Sequence, residues 1–186
     1  GFGTGWAEAT MNGQPVSVRG ALGNNDYPIV YFSPIHPAQI VGLESPPAVL
    51  DAARNTLWAV NAMNEWHPNN GFCLGWPSAG RIMGRANGSK VLNAMTEAIK
   101  DACFPNFWPN LGGGGLEQAG GIEAINSLML QSHESCVRVF PGWPDNNTAA
   151  SFQSLRARRG FVVSASQLNG KVQSPISIAS ELGLPL

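Results

Sequence analysis

Apolar residues recur at helical spacing up to about residue 135, and beyond it the pattern becomes strand-like alternation. This handover constrains the fold more than any single motif. A helical face and a pleated face bury their apolar residues with different periods, so one element cannot satisfy both. Residues 1–41 are rich in Gly, Asn and Pro, and Pro28, Pro34 and Pro37 forbid a long helix there. Ser45, Pro46 and Pro47 then set a helix start, with a hydroxyl free to cap and a proline tolerated in the first turn. Val49, Leu50, Ala53, Leu57 and Val60 follow at helical spacing, which predicts a helix to about Met63. A second helix is expected from Trp76 and Pro77 to a break at Asn87 and Gly88. Ser89 caps a third, whose apolar stripe is Val91, Leu92, Met95, Ala98, Ile99 and Ala102. The fourth is expected from Gln118 to Gln131, with Ile122, Ile125, Leu128 and Met129 on one face. After His133, residues 136–140 alternate like a strand, 141–148 form a turn-rich connection, and runs 161–166 and 172–178 bracket Asn169 and Gly170. An Asn-Gly pair in that setting signals a hairpin, because both central residues of a type I′ turn need positive φ. The expected class is α+β, with helices and loops over 1–134 and antiparallel β structure over 135–186.

Composition narrows the partners. Only 12% of the 186 residues are charged, against roughly 25% in ordinary soluble domains, so the chain is expected to bury much of itself against another chain or another part of the same protein. A net charge of −1 supplies no basic stripe for nucleic acid. No run of eighteen apolar residues is present, so no membrane span is expected. Cys73, Cys103 and Cys136 are odd in number, far apart and set among apolar neighbours; they read as buried thiols, without the spacing of a metal site. Neither a metal nor a cofactor is expected. The sequence starts at Gly1 rather than Met, which suggests a fragment or processed product, and the sequons at Asn87 and Asn146 suggest an extracellular or periplasmic setting.

Four glycines at 112–115 lead into Leu116, Glu117 and Gln118. Such a run allows positive φ and close approach to another molecule, and it sets the Glu117 carboxylate at the mouth of a helix, where the dipole favours the ionised form. The only basic cluster, Arg156, Arg158 and Arg159, is expected to hold carboxylates at a domain interface, and His133 to hydrogen-bond backbone carbonyls there.

In order, Gly120 and Gly121, the string Leu130, Gln131, Ser132, His133, the segment 138–144, the segment 155–158 and the hairpin after it resemble glycoside hydrolase family 95 and its relatives, at the end of the catalytic barrel and the start of the C-terminal β domain. Upstream, the segment 37–40, the helix with Ala52, Ala53, Arg54 and Thr56, and the segment from Gly75 to Gly88 fall in the order of that family's last helices. The resemblance implies part of an α/α toroid of helix pairs followed by the start of a β-sandwich, with a sugar site in loops at one end of the toroid. It also implies inverting hydrolysis of α-linked L-fucose or L-galactose. By the resemblance, Leu116 stands where the family has an aspartate and Gln118 where it has an asparagine, while 113–117 matches a subgroup reading Gly-Gly-Gly-Ile-Glu; Tyr31 replaces an expected histidine.

An inverting enzyme needs an acid and a base roughly 6.5–9.5 Å apart. Glu117 is the candidate base, and the resemblance puts the acid in an upstream portion. Asp26 and Glu65 are the remaining loop carboxylates should this chain supply both. Sugar rings take an aromatic platform with amides and carboxylates, so Trp66, His67, Asn69 and Asn70, with Tyr31 and Gln118, are the candidate oligosaccharide-binding residues. The alternative is a non-catalytic structural or carbohydrate-binding glycoprotein subunit on the same scaffold.

Overall fold

The computed structural model describes residues 7–11, 14–18, 32–62, 69–106, 117–146 and 149–185. Among them are four helices, α1 (Pro47–Ala62), α2 (Asn69–Ile82), α3 (Arg85–Ala102) and α4 (Glu117–Met129). An N-terminal hairpin pairs β1 (Ala7–Met11) with β2 (Gln14–Val18). Two short strands, β3 (Leu130–Gln131) and β4 (Arg138–Val139), pair antiparallel, and β5 (Ala149–Ala157), β6 (Phe161–Leu168) and β7 (Lys171–Ser180) form an antiparallel sheet in that order. The class is mixed α+β.

The helices pack on a core of Leu50, Ala53, Leu57, Trp76, Ala79, Ile82, Val91, Met95, Ala98, Ala124 and Leu128. The sheet has its own cluster around Phe140, Phe152, Phe161 and Val163, and Trp143 packs against both. In β6 burial alternates strictly from Phe161 to Gln167, as expected of a strand with one covered face. Asn169 and Gly170 have φ of 48° and 76°, the positive values required of the type I′ turn.

Among the described residues, α2 and α4 make the most extensive helix–helix contact. Near the end of α2, Gly80 lies against Ala124 and Ser127 in the second half of α4, and Gln131, just beyond α4, reaches the carbonyls of Gly80 and Arg81. The two helices therefore run side by side in one direction. Their first residues, Asn69 and Glu117, share one end of the pair, and Ile82 and Met129 share the other. Close approach is possible because the contacting face of α4 is small: Gly120, Gly121, Ala124 and Ser127 are all buried. The bulky residue expected on that face, Ile122, is instead 64% exposed.

Other boundaries differ from the sequence expectation for identifiable reasons. α2 begins at Asn69, well before Trp76, and carries Pro77 in its interior. The helix thus lacks the N–H that would bond the Cys73 carbonyl, a local penalty overridden by burial of Trp76, Ala79 and Ile82. The break between α2 and α3 falls at Met83 and Gly84, where φ is +69°, and not at Asn87 and Gly88, which are inside α3. Gly88 is needed for proximity, since a Cβ there would collide with the Gly142 carbonyl and press on Pro144. Ser89 accordingly does not cap a helix; its hydroxyl donates to Asn146 Oδ1 at 2.6 Å. Ser45 likewise accepts from the Gly42 N–H at 3.0 Å, leaving Pro46 to supply the first helical carbonyl of α1. Cys136 is exposed and Cys103 half-buried, so two of the three thiols expected to be buried are not.

Replacing Gly80 with alanine would set a Cβ 2.7 Å from the Ala124 carbonyl oxygen, which cannot withdraw without moving α4. The Gly80→Ala chain is expected to lose about 1–3 kcal/mol of stability by urea unfolding. An unchanged midpoint would show that the two helices do not approach this closely.

Candidate functional site

The last carbonyls of a helix have no intrahelical donor and must find partners elsewhere. At the end of α2 each of the last four has a partner. Met83 N donates to the Ala79 carbonyl at 3.1 Å, the Gln131 amide nitrogen donates to Gly80 and Arg81 at 3.2 and 3.1 Å, and Arg54 Nε of α1 donates to Ile82 at 2.8 Å. The same Gln131 nitrogen also meets the Ser127 carbonyl of α4 at 2.9 Å. One buried amide thus ties both helix ends together.

Beside it lies Arg81, only 6% exposed. Its Nη1 donates to the Ile35 carbonyl at 3.0 Å and its Nη2 to Glu123 Oε1 at 2.8 Å, an oxygen that also accepts from the Ser127 hydroxyl at 3.3 Å. Arg81 is the single charged residue of α2, and Glu123 is the one charge between Gln118 and His133. That isolation within long uncharged stretches was the available signal for an internal ion pair, and reading by apolar stripe alone passed over it.

These side chains form one wall of a cavity of about 290 Å³ between the helix ends and the sheet, lined also by Gln39, Asn126, Ser132, His133, Leu155, Arg156 and Arg158. Ser132 Oγ accepts from the Arg158 backbone N–H at 2.9 Å, and Arg158 Nη1 donates to the His133 carbonyl at 3.2 Å. His133 therefore accepts through its own carbonyl, whereas its ring Nε2 is buried with no partner among the described residues, as is His36 Nδ1 nearby. The expected role of the His133 ring as a donor to backbone carbonyls is not what the structure has. Nor do the three arginines act alike. Arg156 pairs with Glu181 within the sheet, Arg158 braces the junction through a carbonyl, and Arg159 is exposed with φ of 62°.

Two further clamps join the helical and β parts. Arg138 pairs with Glu44 and, at 2.9 Å, with Glu134, whose other oxygen accepts from Glu44 N at 2.7 Å. Hydrogen bonds from Ser135 and Arg138 hold the Glu44 carboxyl below its ordinary pKa. Arg85, at the start of α3, bonds Asp145 and the Gly170 carbonyl of the hairpin turn.

Chemically the cavity is a half-open cleft with largely polar walls. Among the described residues Glu123 is the one lining carboxylate, whereas inverting glycoside hydrolysis uses two. Among the described residues no group of three or more His, Cys, Asp or Glu is arranged to hold a metal, and no helix is long and apolar enough to cross a membrane.

Of the sugar-site residues expected from sequence, four have a described backbone. Asn69 and Asn70 open α2 and do not sit in a loop; Glu117 and Gln118 open α4. Their backbones share one end of the parallel pair, while their side chains lie outside the described part of the structure, as do Trp66, His67 and Tyr31 altogether. At 1.5 Å per residue, that end is about 9 Å along α4 from Glu123, the first residue of α4 to line the junction cavity. No family model matches the chain, and no curated protein matches it.

Burial, and after it the charge of Arg81, lowers the pKa of both His36 and His133; Glu123 opposes this at His36 and Glu134 at His133, where Arg158 and Arg138 lower it further. A histidine depressed on folding is neutral in the folded chain and takes its proton more readily when unfolded. Stability is then complete above about pH 6.5 and declines as pH falls from there toward the folded-state values. The Glu44 contribution is lost only at lower pH, in the carboxylate range. The urea midpoint is expected to be lower at about pH 5.5 than at about pH 7.5, with a smaller difference in His133→Gln. A flat profile across that interval would show that neither ring is held neutral.

Proposed function

We propose that the chain is the C-terminal portion of an inverting glycoside hydrolase of the family-95 kind, acting on an α-linked sugar related to L-fucose or L-galactose. The supporting observation is the parallel pairing of α2 and α4, which brings the segments opening with Asn69-Asn70 and Glu117-Gln118 to the same end of the helix layer. Parallel inner helices with their loops gathered at one end are the layout of an α/α toroid, and the β sheet following α4 suits the sandwich behind it.

In this reading Glu117 is the base that activates water. It occupies the first position of α4, where the helix dipole stabilises a carboxylate. Gln118, Asn69 and Asn70 bind sugar hydroxyls, with Trp66 as the ring platform and His67 and Tyr31 beside it. The general acid comes from helices upstream, as does the remainder of the toroid, and the setting is extracellular or periplasmic.

The test is hydrolysis of aryl α-L-fucoside and α-L-galactoside by the full-length polypeptide, with anomeric configuration followed by proton NMR. Glu117→Gln is expected to lower kcat by about 10²–10⁴-fold with an unchanged melting temperature. Full activity in that variant would remove Glu117 from the mechanism. Glycan binding without product release by the unaltered protein would identify the alternative, a carbohydrate-binding subunit on a hydrolase scaffold.

A further inference from the structure

The described lining of the junction cavity includes none of the proposed sugar-site residues, and its walls carry hydrogen-bonding capacity that finds no partner among the described residues. Five of the described arginines, Arg54, Arg81, Arg85, Arg138 and Arg156, have a carboxylate within 4.0 Å. Arg158 has none; among the described residues its guanidinium makes one hydrogen bond, from Nη1 to a carbonyl. A guanidinium has five N–H donors in a planar fork, so one edge of Arg158 remains available at the cavity wall.

The same lining also carries unused acceptors. Glu123 Oε1 receives both of that residue's bonds, and Oε2 accepts none among the described residues. The half-buried amides of Gln39 and Asn126 likewise have no partner there, and each supplies both donors and an acceptor. The Ser132 hydroxyl accepts from Arg158 N, which leaves its own hydrogen to give.

Charge decides what these groups would receive. Arg81 and Glu123 neutralise one another, so Arg158 sets the sign of the site, with Arg156 at its edge. An anion is favoured on the Arg158 side. A dianion without hydroxyls would face Glu123 with nothing to donate, whereas a monoanion bearing hydroxyls can offer its carboxylate to the guanidinium fork and its O–H groups to Glu123. The volume, about 290 Å³, lies at the low end of small-molecule sites, roughly 300–1,000 Å³. It suits one ring and not a chain of rings.

We propose that this cavity binds a hydroxylated monocarboxylate of monosaccharide size, a uronate, with its carboxylate on Arg158 and its hydroxyls on Glu123, Asn126 and Gln39. The site stands whether or not the chain belongs to a hydrolase.

The experiment is titration calorimetry of the complete chain with D-galacturonate, D-galactose and inorganic phosphate in parallel. Galacturonate is expected to bind at least about tenfold more tightly than either of the others, the difference one charged hydrogen-bonding pair makes. Arg158→Gln, which also loses the bond to the His133 carbonyl, is expected to remove that preference with only a small fall in melting temperature in the absence of ligand. Asn126→Ala, which breaks no bond among the described residues, is expected to weaken galacturonate several-fold and serves if Arg158→Gln does not fold. Absence of galacturonate binding, phosphate binding of equal strength, or undiminished galacturonate binding in both variants would each overturn the proposal.

Discussion

Everything at the helix–sheet junction depends on how closely α2 approaches α4. Gly80 has no side chain to hold the backbones apart, and α4 answers with glycine, alanine and serine. Only at that separation can a single amide, Gln131, reach carbonyls of both helices, and only there does Arg81 bond Glu123 across the pair. A buried guanidinium needs a partner charge and filled hydrogen bonds to be tolerated. Arg81 obtains both, and in doing so draws the 32–41 segment into the assembly through the Ile35 carbonyl.

The sheet is attached by charge and by one aromatic residue more than by a continuous apolar seam. Two separate cores meet at Trp143. Around that contact Arg85 reaches the hairpin turn, Arg138 gathers Glu44 and Glu134, and Arg158 grips the strand-connecting loop at His133. Partly exposed polar contacts contribute little individually, but each of these three ties a different residue of the helical part or the loop after it to the β part. The result is a polar enclosure held open between helix ends and sheet, in a chain whose charged residues are few.

Much of this architecture was legible in the sequence. The diproline start of α1, the stripe of α3 and the Asn-Gly turn each follow from a local rule that nothing in the tertiary structure contests. Where a glycine or proline served packing, the local rule misled: Gly88 read as a break because its close approach to Gly142 is non-local, and Pro77 read as a helix start because burial of the surrounding α2 residues is invisible along the chain. β5 has only scattered burial, with Phe152 and Ala157 inward, and its polar and small residues gave no period to detect. At the junction, Gln131 and His133 were noticed as part of a string, but their function required Arg81, fifty residues away at Gln131. Pairing of the lone arginine of α2 with a glutamate on another helix is a three-dimensional fact.

The functional account rests on direction: α2 and α4 must be parallel for their opening residues to converge away from the junction. Dipolar EPR between spin labels at positions 70 and 118, in a chain with its native cysteines replaced, measures this directly. Parallel neighbours require a separation within about 15 Å, given axes 8–10 Å apart. A separation exceeding the length of α2, about 20 Å, would mean that the helices oppose one another and that the two segments cannot form one sugar site.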